Sequence, residues 1–129
     1  MQLLLDTSVL IDALRLRHGR RELLAELVQA GHTLATTALN VAEVYAGMLP
    51  NEARRTEALL GVLDCYDLTG SSGRQAGALK QQWSRKGRTL ALADTIVAAI
   101  ALERSCTLMT DNLKDFPMEE LDIFDLPRR

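Results

Sequence analysis

The sequence of 129 residues has little of what marks several protein classes. Aromatic residues make up only 4% of it, so an extended stacking platform for single-stranded bases is not expected. There are two cysteines, Cys65 and Cys106, and two histidines, His18 and His32. No zinc-type spacing links them, so the cysteines are expected to be reduced, buried hydrophobes and the histidines to lie at the surface. The longest nearly apolar run, Leu90 to Leu102, is interrupted by Asp94 and is too short to span a bilayer. The N-terminal segment has no basic stretch before its few apolar residues, which predicts a cytoplasmic chain without an export signal. Three prolines and eight glycines are too few for a linker-rich or collagenous chain, and no internal repeat is visible. What remains is ordinary. With 47% hydrophobic and 25% charged residues, the length suits a single domain over residues 1–129.

The net charge of −2 hides a partition. Residues 15–88 carry 11 bases against 7 acids, whereas residues 89–129 carry 4 bases against 8 acids. A weakly acidic total argues against a protein that simply coats nucleic acid. It permits an acidic focus with a basic surround, and it also permits scattered solvated charge.

Periodicity alternates short apolar runs with helical stripes. Gln2–Leu5 reads as a strand buried on both faces, followed by a helix from Asp6-Thr7-Ser8 to about Arg17. Helical spacing recurs over Gly19–Ala30, Ala38–Met48, Glu52–Leu63, a polar stretch ending at Gly87, and 91–104. Further strands are expected at Thr33–Thr36, Cys65–Leu68, Thr107–Thr110 and Leu121–Phe124, with Gly70–Gly73 as a loop or cap. Strands separated by helices imply parallel pairing. The predicted class is α/β, a three-layer α/β/α sandwich with a central, mostly parallel sheet.

Ligands of open α/β sheets bind beyond the carboxyl ends of the strands. Asp6 follows the first strand and Asp111 follows the Thr107–Thr110 strand. Asp94 lies in the first turn of an otherwise apolar helix, where burial costs several kcal/mol without a compensating partner. An alternative is plain stabilisation by the helix dipole. Glu43 sits among apolar neighbours in Asn40-Val-Ala-Glu43-Val-Tyr-Ala-Gly47, either as part of an acidic wall or in a capping box with Asn40. Gly47, one turn on, is expected to let a neighbouring backbone approach that wall. Four such acids suggest a shared hard cation, Mg²⁺ or Mn²⁺. The expectation is that Asp6, Glu43 and Asp94 bring carboxylate oxygens close enough to share it.

These segments resemble the ordered motifs of PIN-domain ribonucleases, and their order, spacing and chain length resemble the VapC toxin branch of toxin–antitoxin modules. The segments are Asp6-Thr-Ser-Val-Leu-Ile, Val-Ala-Glu43-Val-Tyr-Ala-Gly47, Asp94-Thr-Ile-Val-Ala-Ala-Ile-Ala and Leu-Met-Thr110-Asp-Asn112-Leu-Lys-Asp115-Phe116. The resemblance implies a Mg²⁺-dependent endoribonuclease with Asp6, Glu43 and Asp94 as principal metal-binding acids. Its fourth position falls on Asn112, flanked by Asp111 and Asp115, and Thr110 corresponds to a polar residue lining the site; Thr7 or Ser8 does the same. The implied partners are RNA, a cognate antitoxin whose basic tail enters the acidic groove, and a second copy of the chain.

Two further expectations attach to particular side chains. Arg15, Arg17, Arg20, Arg21, Arg85, Lys86 and Arg88 are candidates to hold an RNA backbone. Leu59, Leu60 and Leu63 are candidates for a dimer contact. Competing readings are a catalytically silent binding module and a receiver-type phospho-acceptor. The latter wants an adjacent acidic pair before its acceptor strand, but Asp6 and Asp12 are separated. A dehalogenase-like phosphatase wants an acid where Ser8 stands.

Overall fold

Leu3, Leu4 and Leu5 are all fully buried, and the strand they form organises the rest. The computed structural model describes residues 1–127; Arg128 and Arg129 lie outside the described residues. The elements in chain order are β1 (Gln2–Leu5), α1 (Thr7–Leu14), α2 (Arg20–Gln29), β2 (Thr33–Thr37), α3 (Ala38–Ala46), α4 (Ala53–Gly61), β3 (Asp64–Tyr66), α5 (Gly70–Arg85), α6 (Leu92–Glu103) and β4 (Thr107–Met109). Short 3-10 turns lie at Pro50–Glu52 and Leu113–Asp115.

The strands lie in the order β3-β2-β1-β4, and every pairing is parallel. Side chains on β1 alternate between two cores, as the two-residue repeat of a strand requires. Leu3 and Leu5 pack with Val9, Leu10, Leu24 and Met109 on the α1/α2 side. Leu4 packs with Ala35, Val97, Ile100 and Leu108 on the α5/α6 side. The three-layer α/β/α sandwich expected from the sequence is therefore present. The chain builds outward from β1 to β2 to β3, then returns to the other flank of β1 with β4. That reversal puts a crevice between the carboxyl ends of β1 and β4.

Several boundaries differ from expectation, each for a local reason. Helix α1 stops at Leu14 instead of near Arg17, because Leu16, His18 and Gly19 adopt left-handed backbone conformations at φ of 55°, 55° and 65°. Gly70–Gly73, expected as a loop or cap, is the capped first turn of α5. Thr69 Oγ1 accepts from Ser72 N at 3.1 Å and Ser72 Oγ accepts from Thr69 N at 2.8 Å, a reciprocal cap that outweighs the two glycines. The third strand covers Asp64–Tyr66 instead of Cys65–Leu68. Leu121–Phe124 is not a full strand: only Ile123 bridges to Leu108, with Leu108 N donating to Asp122 O and Phe124 N to Leu108 O.

Candidate active site

Asp6 occupies the β1 end of the crevice. It is the N-cap residue of α1, with extended backbone, and is only 6% exposed. Its Oδ1 accepts from Asn40 Nδ2 at 3.1 Å and its Oδ2 accepts from Thr110 Oγ1 at 2.8 Å. Burial pushes the Asp6 carboxyl above the ordinary carboxylate range, while the Thr110 and Asn40 hydrogen bonds pull the other way.

Asn40 is fully buried and satisfies every position of its amide locally. Its Oδ1 accepts from Thr37 Oγ1 at 2.6 Å, and Nδ2 donates to Thr7 Oγ1 at 2.9 Å as well as to Asp6. Thr7 Oγ1 in turn donates to Glu43 Oε1 at 2.8 Å. A chain of hydrogen bonds thus runs from β2 through α3 to both Asp6 and Glu43. The capping box proposed for Asn40 and Glu43 is absent, because Thr37 caps α3 by accepting from Asn40 N at 3.1 Å. Sequence reasoning missed the junction role of Asn40. The available signal was an amide at a position that the helix buries, three residues before Glu43.

Asp94 lies half-buried in the first turn of α6. Its pKa is pushed up to about 6, first by burial and then by Asp115, Asp6 and Glu43 in that order. A helix N-terminus favours the ionised carboxyl and acts in the opposite sense. Glu43 is exposed at the rim and Asp115 is half-buried. The acids close enough to raise the pKa of Asp94 are thus Asp115, Asp6 and Glu43.

Asp111 and Asn112 are placed otherwise. Asp111 Oδ1 accepts from Arg20 Nη2 at 2.8 Å, which draws that carboxylate into an ion pair. Exposed Asn112 donates its backbone N–H to Thr110 Oγ1 at 3.0 Å and opens the 3-10 turn that carries Asp115. Among the described residues, no three Asp, Glu, His or Cys side chains already stand in a metal cage. Both oxygens of Asp6 and one of Glu43 are engaged by Asn40, Thr110 and Thr7.

Other expectations need correction too. Arg20 is 4% exposed, and Arg15 reaches the buried Glu52 at 3.1 Å, so neither is a free base for a polyanion. Arg17, Arg21, Arg85, Lys86 and Arg88 are exposed. Gly47 ends α3, and the position its Cβ would take lies 3.9 Å from the Glu43 carbonyl, with no neighbouring element approaching. Cys106 is buried, but Cys65 is exposed because β3 is an edge strand. His18 is exposed and 2.9 Å from Asp12, whereas His32 is half-buried. Leu63 is buried, whereas Leu59 and Leu60 are only partly buried against the α1/α2 core, and Leu59 lines an open groove.

Among known families, the PIN domain matches residues 3–117. Ribonuclease VapC19 of Mycobacterium tuberculosis is 30% identical over 115 residues, covering 89% of this chain and 92% of the relative. Ribonuclease VapC10 of the same organism is 31% identical over 118 residues, covering 92% and 88%. The VapBC2 complex of Rickettsia felis, solved with a promoter DNA fragment, contains a chain similar at a TM-score of 0.85. It has 21% identity and covers 96% of this chain and 98% of that one. A chain of the DNA-bound VapBC of Salmonella typhimurium gives a TM-score of 0.83 at 19% identity, with 98% and 99% covered. The acids after β1, on α3 and on α6 occur within a match spanning nearly the whole chain: the protein belongs to the PIN-domain family, in its VapC branch.

Proposed function

We propose that this chain is a metal-dependent endoribonuclease using Mg²⁺ or Mn²⁺, the toxin partner of a toxin–antitoxin pair. The observation that carries the reading is the setting of Asp94, whose ionisation is opposed by burial and by Asp115, Asp6 and Glu43. Such crowding is costly in a purely structural site and useful where a cation binds. The acceptors gathered here are carboxylate and hydroxyl oxygens, held in part by the Asn40 amide, and such oxygens suit a hard cation.

Asp6 and Asp94 would hold the metal, with Glu43 completing the wall. A cation of this class lowers the pKa of a bound water and neutralises charge on a phosphodiester. Thr110 and Asn40 fix the Asp6 carboxylate before any ligand arrives, which lowers the reorganisation needed at the reaction step. Glu43 is held by the Thr7 hydroxyl at the exposed rim, where it can accept a proton from the attacking water. Exposed Arg85, Lys86 and Arg88 lie in and just after the end of α5 and are available to an RNA backbone.

The antitoxin reading draws support from a separate surface. Between α2 and α4 lies an open apolar groove of about 980 Å³, with Leu16, Val28 and Val62 exposed at 64%, 55% and 78%. Its shape and apolarity suit one face of an antitoxin helix. A basic tail continuing from that helix would meet Asp6, Glu43 and Asp94 through charge-assisted hydrogen bonds.

The test is incubation of a structured RNA with the wild-type chain and with Asp6→Asn, each with Mg²⁺ and with EDTA. Cleavage by the wild type in Mg²⁺ alone is expected. Equal cleavage by Asp6→Asn would overturn the assignment of this site. No cleavage of total RNA by the pure, partner-free chain would favour a silent binding module.

A further inference from the structure

A second cavity, of about 350 Å³, adjoins the acidic crevice on its β4 side. Its size falls among small-ligand sites of about 300–1,000 Å³ and is far above the roughly 30 Å³ of one water. Leu113, Ile123, Phe124 and Leu126 supply apolar walls, while Arg20, Thr110, Asp111 and Asp125 supply polar ones. Thr110 is common to both places: it lines this cavity and donates to Asp6 Oδ2 at 2.8 Å. A molecule held at the carboxylates therefore has its next chemical unit beside this cavity.

The polar groups decide which unit fits. Two carboxylates and one guanidinium line the cavity, and the guanidinium is already paired with Asp111. A phosphate would be repelled. An uncharged ring with N–H donors for the carboxylates is favoured. Arg20 is 4% exposed and its Nη atoms bond Asp111 Oδ1, His18 O and Pro127 O, so its guanidinium is committed to the protein itself. Of the four bases, guanine alone presents an adjacent ring N–H and amino group that a carboxylate can take together. Uracil has no amino group. Phe124, half-buried against the α1/α2 core, is the one aromatic residue in the cavity wall.

We propose that this cavity is a base-reading subsite that receives a guanine next to the cleaved phosphodiester. The inference rests on the ribonuclease reading for its biological setting, but its binding chemistry can be tested apart from cleavage. The full chain, free of metal, is titrated with guanosine and separately with uridine, following side-chain resonances of Leu113, Ile123 and Leu126 by NMR. Guanosine should shift all three and bind at least about fivefold more tightly than uridine. Phe124→Leu, which keeps an apolar wall and removes the ring, should weaken guanosine binding by a similar factor.

A second arm measures kcat/KM on four oligoribonucleotides that differ only at the nucleotide flanking the cleaved bond. The guanine substrate should lead by about tenfold, and Asp125→Asn should narrow that lead. Guanosine binding without cleavage of any RNA would overturn the nuclease reading and leave the subsite standing. Cleavage indifferent to the flanking base, with no guanosine shift or with equal shifts from both nucleosides, would overturn the subsite alone. If the Leu variant fails to fold, the guanosine–uridine comparison on the wild type still decides.

Discussion

At the scale of single residues, the site depends on which groups fix the carboxylates. Asn40 is fully buried and bonds Asp6, Thr7 and Thr37. Asn40→Ala leaves Asp6 Oδ1 without its donor and the Thr37 hydroxyl proton without its acceptor, so about 1–3 kcal/mol of stability should be lost in urea unfolding. RNA cleavage should fall by about 10–100-fold, the usual effect of losing a group that orients a metal-binding side chain. Asp94 gives a pH signature. Its carboxyl titrates near 3.8 when unfolded and at about 6 when folded. Between those values the unfolded chain has released a proton that the folded chain keeps. Stability of the metal-free protein should therefore fall as pH rises from about 4 to about 6 and stay low above that. Melting temperatures at about pH 4.5 and about pH 7 should show this drop in the wild type, with a smaller one in Asp94→Asn. The acids after β1, on α3 and on α6 were legible because each carboxylate interrupts an apolar pattern. The fourth partner was not. Asp111, Asn112 and Asp115 are equivalent on paper, and only the Arg20 ion pair separates Asp111 from the cluster.

At the scale of elements, parallel strands and alternating helices were legible because β1 is continuously apolar and each helix carries a periodic stripe. What the pattern hid was local hydrogen bonding. Gly70-Ser71-Ser72-Gly73 has the composition of a loop, but Thr69 and Ser72 cap each other and start α5 there. Thr69→Ala should lower stability by about 1 kcal/mol in denaturant unfolding and leave RNA cleavage unchanged, since α5 brings none of the four acids. Leu121–Phe124 has strand composition, but its backbone reaches Leu108 through one bridge flanked by two hydrogen bonds. It instead walls the cavity beside Thr110. Arg20 also escaped the sequence reading. A base among other bases looks solvated, yet α2 starts by burying it against Asp111 and the carbonyl of Pro127.

At the scale of the whole molecule, the strand order β3-β2-β1-β4 places the carboxyl ends of β1 and β4 side by side. No helix is long and apolar enough to cross a membrane among the described residues. The apolar α2/α4 groove and the acidic crevice are separate surfaces, so one antitoxin could engage both. Pairing of two copies predicts a light-scattering mass of about twice 14.2 kDa. A value near 14.2 kDa at high concentration would contradict it. The central claim is that the carboxylates form a cation site and are not helix-capping acids. Thermal unfolding of the wild type and Asp94→Asn, each in EDTA and in saturating Mn²⁺, tests it most directly. Binding at 100 times the dissociation constant adds about 2.7 kcal/mol. The wild type should gain several degrees in Mn²⁺, whereas Asp94→Asn should melt higher than wild type in EDTA and gain little from the metal. A lower melting temperature for Asp94→Asn in EDTA, with equal Mn²⁺ responses from both proteins, would contradict the account.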